Sequence, residues 1–549
     1  MKINDEQLEK LIDSIEDFAR RKIADSDSNI DYIDNNYNLR KMKKSNNNII
    51  EARRGCGKTT LILKSIYDNK DYINVSQDCQ LFKDYSFTKI LIELLNTINN
   101  SIILELQKII KELEKERFLF IFYKKKKEIR KIRELVQKAN TINSKLAALM
   151  KLPDEFTFEY TKNLNNEIKN TTLIQNNTNL KTMSSLELKY NQDFSQLESK
   201  LDAFINYQTF NKKEMSEKSI LNTKINGSQA LSKIDLLEDI KKVFIDFLKL
   251  THTEGINGIY LYLDDFYMIN KSYHPLVLKY FHDIYKNTKK GTFCFKIVTL
   301  PSSLQLNVGK EKIFSIKDDY SLIQLDYDLS NLDKIQTYLF EIIHSLSNID
   351  ITKQEFESLF SEDKTLKVLI IATGGIPRDF MKAFVEAIRI ATRNSHNTIH
   401  KKDIYEVIKN LKDDKDRNIE IDSELSVESI EVAITELIDS LENKIKKNVI
   451  LYPLDIAEKH EILLKNLVNL RYLHLIKPRV SSKYKKNYRA YLIDMTFYAT
   501  GSISKNIEFC EFWEKDEYRN LDKLRKSPEW YFSNEIIEKI EIIESDKHN

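Results

Sequence analysis

A loop that could bind phosphate lies at residues 49–62, where the sequence reads IIEARRGCGKTTLI. Two glycines around a cysteine leave backbone N–H groups free to converge on an anion, Lys58 adds a positive charge, and Thr59 adds a metal-binding hydroxyl. A strand-like run precedes the loop and an apolar helical run follows it, which is the setting that a phosphate loop needs. The consensus G-x-x-x-x-G-K-S/T is matched except that Ala52 replaces its first glycine, and a glycine turn that binds nothing is the alternative. The residues predicted to bind phosphate are Arg54, Gly55, Cys56, Gly57, Lys58, Thr59 and Thr60.

Two adjacent aspartates follow an apolar run at residues 258–269, GIYLYLDDFYMI. An uninterrupted apolar run is typical of a parallel strand that is buried on both faces, and ligand-binding side chains lie at the carboxyl ends of such strands. We expect Asp264 to hold a magnesium ion through water and Asp265 to orient an attacking water molecule. The alternative is a surface pair of aspartates that merely closes a strand.

Two weaker signals fit the same site. Thr299 and Ser302 lie just past the centre of another apolar run, where a hydroxyl can contact a terminal phosphate, although a threonine at the end of a strand is common. The segment ATGGIPRDF at 372–380 predicts a tight turn between helices, with Pro377 in the first turn of the second helix. Arg378 is then placed to reach back toward phosphate, the alternative being a plain turn with a surface arginine.

A parallel α/β sheet would bring these side chains together, because the order strand, phosphate loop, helix, strand is the opening of such a fold. Besides the strands that precede the phosphate loop and the aspartate pair, strand-like runs lie at 71–77, 292–300 and 321–327. Helical spacing is found at 5–23, 58–67, 86–98 and 235–251, and across the block 331–411.

Residues 99–235 have a different pattern and read as an insertion in this core. Apolar residues at three- and four-residue steps predict a long helical hairpin or coiled-coil arm that is broken near residues 123–127. The run FLFIFYKKKK at 118–127 is compatible with a membrane or nucleic-acid contact, but a buried aromatic patch beside a solvated charged turn is the simpler interpretation. Residues 160–200 are rich in Asn, Thr and Ser, and we expect a mobile part of the arm there.

The last part of the chain has the pattern of a winged helix. Helices are predicted at 427–446 and 454–471, and two strand-like runs at 472–480 and 488–495 would form a hairpin. On an exposed hairpin its basic residues would form a strip that binds nucleic-acid phosphates; solvated lysines or a contact with the core are the alternatives. The basic residues are Lys477, Arg479, Lys483, Lys485, Lys486 and Arg489.

Length and composition set the limits of these interpretations. A chain of 549 residues exceeds what one hydrophobic core usually serves. The formal net charge is only +3, so any affinity for nucleic acid must come from a local patch. Four scattered cysteines without C-x-x-C spacing indicate a reducing compartment and argue against zinc. The charged amino terminus is unlike a signal peptide and no run of about 18 apolar residues occurs, so we expect a cytoplasmic protein without a membrane span.

The predicted organisation has six parts. An α/β core with a parallel sheet flanked by helices is interrupted by the helical insertion and is followed by an all-α lid, a winged helix and a tail. The boundaries are 1–44 for an amino-terminal helix and linker, 45–98 with 236–330 for the core, 99–235 for the insertion, 331–411 for the lid, 427–500 for the winged helix and 501–549 for the helical tail.

Taken in order, the motifs resemble those of the P-loop ATPases of the AAA+ and STAND group, particularly its origin-recognition-like and nucleotide-switch branches. ARRGCGKT resembles the Walker A motif, IYLYLDD a Walker B motif, KIVTLPSS the sensor 1 strand and GGIPR the sensor 2 signature. The resemblance implies ATP and Mg²⁺ as ligands, with Thr299 as the sensing hydroxyl, Pro377 near adenine and Arg378 near the γ-phosphate. It covers roughly residues 45–98 and 236–500.

The chain departs from the family at three points. Ala52 replaces a glycine, Asp265 stands where strongly hydrolytic members have glutamate, and no trans-acting arginine is identified. The side chain of aspartate is shorter than that of glutamate, so its carboxylate oxygens are harder to bring close to the attacking water. We therefore expect slow turnover.

These features lead to one main functional hypothesis and two alternatives. The main one is a slowly hydrolysing regulatory ATPase, a molecular switch; bacterial relatives with this layout often act in defence against phage. The second is a DNA-binding initiator or loader that acts through its winged helix. The third is a scaffold that holds nucleotide for stability and docks a protein partner, or assembles with itself, through the helical insertion.

Overall fold

The computed structural model describes most of the chain. The described residues are 6–19, 32–34, 36–115, 122–151, 158–159, 189–200, 228–229, 233–253, 256–301, 303–308, 311–312, 314, 318–327, 329–346, 351–416, 423, 425–481, 486–499, 507–513 and 517–548.

A five-stranded parallel sheet forms the core. Its strands are β1 Asn48–Glu51, β2 Ile73–Asp78, β3 Ile259–Asp264, β4 Phe293–Thr299 and β5 Ser321–Gln324, in the order β2-β3-β4-β1-β5. Every residue of β3 and β4 is buried, which explains their continuous apolar character. All five strands were expected from the sequence, but β5 is shorter than the predicted run 321–327, whose last three residues lie past the strand.

The helices of the described chain surround this sheet and build two further regions. They are α1 Glu6–Ala19, α2 Asn38–Met42, α3 Lys58–Asp68, α4 Phe87–Lys115, α5 Phe122–Met150, α6 Lys233–Thr253, α7 His274–Asn287, α8 Leu332–Leu346, α9 Lys353–Glu357, α10 Asp363–Ala372, α11 Pro377–Arg393, α12 Lys401–Asp416, α13 Val427–Ser440, α14 Leu454–Lys459, α15 Glu461–Asn469, α16 Glu517–Arg525 and α17 Asn534–His548. A further helix covers 189–200.

Helices α4 and α5 form the predicted hairpin, with two corrections. The helix expected at 86–98 is the first part of α4, which continues to Lys115. The expected break at 123–127 is wrong, because these residues are part of α5. Lysine favours a helix and neither glycine nor proline occurs there, so nothing in the charged run ends the helix. Buried Asn99 donates from Nδ2 to Ala139 O at 2.8 Å and to Asn143 Oδ1 at 2.7 Å, which fixes the register of the pair.

The helix at 189–200 docks on α6 through two ion pairs. Lys189 Nζ lies 3.0 Å from Asp246 Oδ2, and Lys200 Nζ lies 2.7 Å from Asp239 Oδ2. This part of the chain was expected to be mobile, so the expectation for 160–200 is wrong at its carboxyl end. Residues 160–188 lie outside the described residues, as does the apolar part of the run 118–127 up to residue 121.

Helices α8 to α12 form the middle helical region, residues 332–416, and α1 packs on it. Leu8, Leu11 and Ile15 of α1 are buried in the same apolar cluster as residues of α8 and α11. At the edge of this contact Arg389 of α11 pairs with Glu16 at 2.6 Å. The amino-terminal helix is therefore attached to the middle helical region.

The C-terminal region, residues 427–548, contains a three-stranded antiparallel sheet. Strands β7 Leu473–Ser481 and β8 Asn487–Ile493 form the expected hairpin, and β6 Val449–Pro453 pairs with β8 in the order β6-β8-β7. The sequence interpretation missed β6, since its five buried residues follow a helix without a turn signal.

The helices of the C-terminal region also differ from their predicted bounds. The helix expected at 427–446 changes after Ser440 into a π-helical turn, Leu441–Ile445. The helix expected at 454–471 is divided at His460 into α14 and α15. In the tail, which was expected to be helical over 503–545, residues 507–513 are not helical; Trp513 packs in the core.

Two observations concern the chain as a whole. None of the described helices contains a stretch that is long and apolar enough to cross a membrane. All four cysteines are buried and unpaired.

We predict that Leu11→Ala loosens α1 from the middle helical region. Leu11 is fully buried, and shortening a core leucine to alanine typically costs about 2–5 kcal/mol. Amide hydrogen exchange over residues 6–19 should become faster, whereas exchange in β1 and β4 should not change. The control is Glu9→Ala, on the exposed face of the same helix. Equal exchange in the two variants would contradict the packing.

Candidate phosphate-binding site

The phosphate loop connects β1 to α3 and contains two glycines in the left-handed region. Gly55 has φ 88° and Gly57 has φ 83°, and Gly57 is the residue that precedes the first turn of α3. Ala52 does not adopt a positive φ and is fully buried among core residues. The first consensus glycine can therefore be alanine here, since this backbone does not need the freedom of glycine.

Lys58 is folded into this loop. Its Nζ donates to Ala52 O at 3.0 Å and to Arg53 O at 3.3 Å, and the residue is 7% exposed. Burial lowers the pKa of Lys58, and the nearby carboxylate of Asp265 is the strongest opposing influence. The ammonium group is thus held by backbone carbonyls that an anion in the loop can replace.

Thr59 and Asp264 bring the first turn of α3 against the end of β3. The Thr59 hydroxyl donates to Asp264 Oδ2 at 2.7 Å, and the backbone N–H of Asp265 donates to Asp264 Oδ1 at 3.0 Å. Burial, and then the charge of Asp265, raise the pKa of Asp264, while the Thr59 hydrogen bond acts against this rise. A hydroxyl and a carboxylate in contact are the oxygen ligands that Mg²⁺ takes in phosphate-binding sites.

Asp265 follows β3 with an unusual backbone conformation. Its φ of 48° lies in the left-handed region, which costs free energy for a residue other than glycine. Such outliers are found mainly where a functional side chain must be aimed. The conformation keeps the Asp265 carboxylate close enough to Lys58 to influence the pKa of that lysine.

Thr299 ends β4 beside the start of the phosphate loop. It pairs in register with Glu51 of β1, and its carbonyl oxygen accepts from the Ala52 N–H at 3.3 Å. Its hydroxyl is fully buried and has no hydrogen-bond partner among the described residues. A buried hydroxyl without a partner calls for an explanation, and a bound phosphate oxygen is one. Ser302, the second candidate, lies outside the described residues.

The turn before α11 covers the tip of the loop. The Arg378 N–H donates to Gly55 O at 3.3 Å. A Cβ at Gly55 would lie 2.9 Å from Ile376 Cγ2 and 3.1 Å from Arg378 Cβ, so this close approach requires glycine. Pro377 is buried in the first turn of α11, and the Arg378 side chain is exposed. The structure therefore places Pro377 and the backbone of Arg378 beside the loop, and the contact of the Arg378 side chain with phosphate stays a prediction.

Asp326 contacts the loop and was missed by the sequence analysis. Its carboxylate accepts from the Arg53 N–H at 3.0 Å and from the Cys56 thiol at 2.8 Å, and it lies 3.4 Å from Arg53 Nε. Burial, and then the charge of Asp326, raise the pKa of Cys56. Asp326 could have been found from its position just past β5, by the same reasoning that identified Asp264 past β3.

The sequence did not point to Arg53 either, and the Arg53 side chain contacts residues farther along the chain than the side chain of Arg54 does. The guanidinium of Arg54 donates to Tyr267 Oη at 3.1 and 3.3 Å. The guanidinium of Arg53 donates from Nη2 to Gly374 O at 3.1 Å, and its Nη1 lies 3.3 Å from His474 Nδ1. Since 421 positions separate Arg53 from His474, local pattern cannot predict this contact.

The basic residues of the β7–β8 hairpin differ in exposure. Arg479 and Lys486 are exposed, Lys477 and Arg489 are half-buried, and Lys483 and Lys485 lie outside the described residues. Helix α16 adds Arg525, which donates from Nε to Ser481 O at 3.0 Å, and the exposed Lys526 follows it.

Comparisons with known proteins give weak similarities. The sequence matches no protein-family model and no curated protein. The structure is similar to a Walker-type ATPase of Pyrococcus abyssi, with 12% identity, a TM-score of 0.38 and coverage of 87% of this chain and 98% of the other. It is also similar to the Orc1 protein of Aeropyrum pernix in complex with DNA, with 9% identity, a TM-score of 0.33 and coverage of 94% of this chain and 97% of the other. A third similar structure is the RuvB branch migration motor of Thermotoga maritima, with 12% identity, a TM-score of 0.22 and coverage of 44% of this chain and 78% of the other. Similarities of this size do not establish membership of a family.

The raised pKa of Asp264 predicts a pH dependence of stability. Because the folded chain holds this proton above the ordinary pKa of 3.8, the contribution of Asp264 to stability is full below that value and falls as the pH rises through the raised pKa. Asparagine does not titrate. The melting temperature of Asp264→Asn minus that of the unsubstituted protein should therefore increase from about pH 4 to neutrality in the presence of EDTA.

The matched control is Asp71→Asn, which changes an exposed aspartate before β2. Its melting-temperature difference should vary less with pH. A difference for Asp264→Asn that stays constant over this range would contradict the assigned environment.

Proposed function

We propose that this chain binds ATP with Mg²⁺ and hydrolyses it slowly as a regulatory ATPase. The observation that carries the proposal is the meeting of Lys58, Thr59 and Asp264 at one edge of the sheet, where Thr59 contacts an aspartate 205 positions away. A turn that binds nothing does not require these three side chains together with two left-handed glycines. Within this proposal the phosphate ligand is ATP, as the resemblance of the motifs to those of P-loop ATPases implies.

Binding uses groups that already face the loop. The N–H groups of residues 55–59 would surround the β-phosphate, and Lys58 would exchange its contacts with Ala52 O and Arg53 O for phosphate oxygens. Thr59 would hold Mg²⁺ directly and Asp264 would hold it through water. When bound, Mg²⁺ neutralises charge on the β- and γ-phosphates.

Hydrolysis requires a water molecule in line with the γ-phosphorus. Asp265 would accept a hydrogen bond from this water and orient it while the new P–O bond forms and the bond to the β–γ bridging oxygen breaks. The unpaired hydroxyl of Thr299 would donate to the γ-phosphate, and Arg378 would offset its charge from outside. Aspartate has a shorter side chain than glutamate, so positioning is less favourable and slow turnover follows.

The turn before α11, which covers the phosphate loop, supports a regulatory role. In this proposal the middle helical region is the lid, and α13 to α15 with the three-stranded sheet form a winged helix. Because the Arg378 N–H donates to Gly55 O, a change in the phosphate loop reaches the lid directly. The insertion would provide the docking surface for a protein partner or a second copy.

A pair of substitutions tests binding and hydrolysis separately. Lys58→Ala should abolish binding of a fluorescent ATP analogue, because it removes the only lysine that donates to loop carbonyls in the described structure. Asp265→Ala should leave binding intact and lower phosphate release by about 100-fold or more, as expected when a water-orienting group is lost.

The control is Lys64→Ala, on the same helix but paired with Asp68. It should bind as the unsubstituted chain does. Unchanged nucleotide affinity in Lys58→Ala would exclude the proposed site, and full turnover in Asp265→Ala would exclude the role of that carboxylate.

A second candidate function is binding of duplex DNA through the hairpin of β7 and β8. It is favoured by the position of Arg525 beside Ser481, which extends the basic strip from the hairpin to α16. Helix α15, which follows α14 in the winged-helix arrangement, is largely buried, so the hairpin is the better candidate for contacts with phosphates.

A salt titration of DNA binding tests this candidate. Each neutralised phosphate adds about −0.9 to the slope of log K against log salt concentration, so Arg479→Ala with Lys486→Ala should reduce the slope by about 2. The charge-matched control is Lys289→Ala with Lys290→Ala, two exposed lysines before β4. No binding at low salt would reject this function.

A further inference from the structure

We propose that Arg53 and His474 form a latch through which the phosphate loop holds the C-terminal region closed over the nucleotide site. The latch consists of Arg53, His474 and Asp494. The existence of the latch follows from contacts in the structure, whereas its role in nucleotide release rests on the proposed function.

Arg53 connects three parts of the molecule with one side chain. Its Nε pairs with Asp326 of the core, its Nη2 donates to Gly374 O in the turn of the middle helical region, and its Nη1 lies 3.3 Å from His474 Nδ1 on β7. Arg53 is 7% exposed, and a buried guanidinium needs such partners because it is costly to remove from water. Separating the C-terminal region from the core would remove the partner His474.

The hydrogen bonds define the state of His474. Arginine N–H groups can only donate, so Nδ1 of the ring must accept. The other nitrogen, Nε2, lies 2.8 Å from Asp494 Oδ2 and therefore donates. His474 is 1% exposed and Asp494 is fully buried. Asp494 therefore orients the imidazole ring, and the ring accepts a hydrogen bond from Arg53. His474 is a positioning residue that acts on the phosphate loop through Arg53.

The turn at Gly374 is packed between the two partners of the latch. Gly374 has φ 59°, and a Cβ there would lie 2.4 Å from His474 Cε1 and 2.5 Å from His474 Nδ1. The same turn leads into the residues that cover Gly55. A second contact lies alongside, where Arg471 of the C-terminal region forms an ion pair with Asp379 of α11. The phosphate loop, the turn and β7 are thus stacked in direct contact.

This arrangement couples the latch to the ligand of the loop. The Arg53 carbonyl accepts from Lys58 Nζ at 3.3 Å, and the Arg53 side chain holds the latch. When Lys58 turns toward a phosphate, the Arg53 carbonyl loses that contact while the Arg53 N–H keeps its hydrogen bond to Asp326, so the backbone of Arg53 is held on one side only. In the other direction, a closed latch keeps the turn over Gly55 and slows the exit of a bound nucleotide.

Amide hydrogen exchange of the full chain tests the latch without any nucleotide. In His474→Ala, residues 373–376 and 473–477 should exchange about three to ten times faster, which corresponds to the loss of one net hydrogen bond, while β1 and β4 should be unchanged. His474→Asn keeps an acceptor near the position of Nδ1 and should restore most of the protection. Leu475→Ala, at a partly exposed neighbour on the same strand, should behave as the unsubstituted chain.

Unchanged exchange in a folded His474→Ala protein would overturn the latch. If His474→Ala does not fold, Arg53→Lys decides, because lysine keeps the positive charge but cannot contact Asp326, Gly374 and His474 together: faster exchange confined to residues 373–376 and 473–477 supports the latch, and unchanged exchange overturns it.

The regulatory role has its own measurement. Release of a fluorescent ADP analogue should be several-fold faster from His474→Ala than from Leu475→Ala. Equal rates would overturn the regulatory role. If no variant and not even the unsubstituted chain binds nucleotide, the proposed function fails, while the exchange comparison still decides whether the latch exists.

Discussion

The parallel pairing of β1 with its two neighbours is the constraint on which the rest of the site depends. At the end of β1 the Ala52 N–H donates to Thr299 O of β4, and Glu51 O accepts from the Leu325 N–H just past β5. The phosphate loop thus leaves the sheet from a point that is held on both sides. Because all five strands are parallel, Asp264, Thr299 and Asp326 meet the loop at the same edge.

Charge burial is the second constraint. Lys58, Arg53 and Asp264 are almost completely removed from solvent, and each would be costly there without partners. Lys58 is compensated by loop carbonyls, Asp264 by the Thr59 hydroxyl, and Arg53 by a carboxylate and two further acceptors. Lys58 and Arg53 are linked, because the Arg53 carbonyl accepts from Lys58 Nζ, so a change at Lys58 is transmitted to Arg53. Such a network is suited to sensing whether an anion occupies the loop.

The regions outside the sheet have distinct relations to this network. The turn before α11 and strand β7 contact the loop itself, whereas the hairpin of α4 and α5 joins the apolar core on the side of β2 and α6. Two exposed basic residues of the β7–β8 hairpin, Arg479 and Lys486, lie near the end of β7 that is farther from His474. One strand thus carries both a contact with the loop and a candidate nucleic-acid surface.

The sequence by itself determined the five strands, the phosphate loop and the aspartate pair. These are local features, because apolar runs, glycine spacing and polar residues at strand ends each indicate a conformation within a segment of a few residues. It failed at two places: the charged run at 123–127 lies inside α5, as the helix preference of lysine allows, and the short buried strand β6 was not recognised. Only the tertiary structure decided which groups of the loop Asp326 binds and that Arg53 meets His474. Both contacts join segments more than 250 residues apart, and no local preference of the chain encodes which distant polar group will satisfy a buried charge.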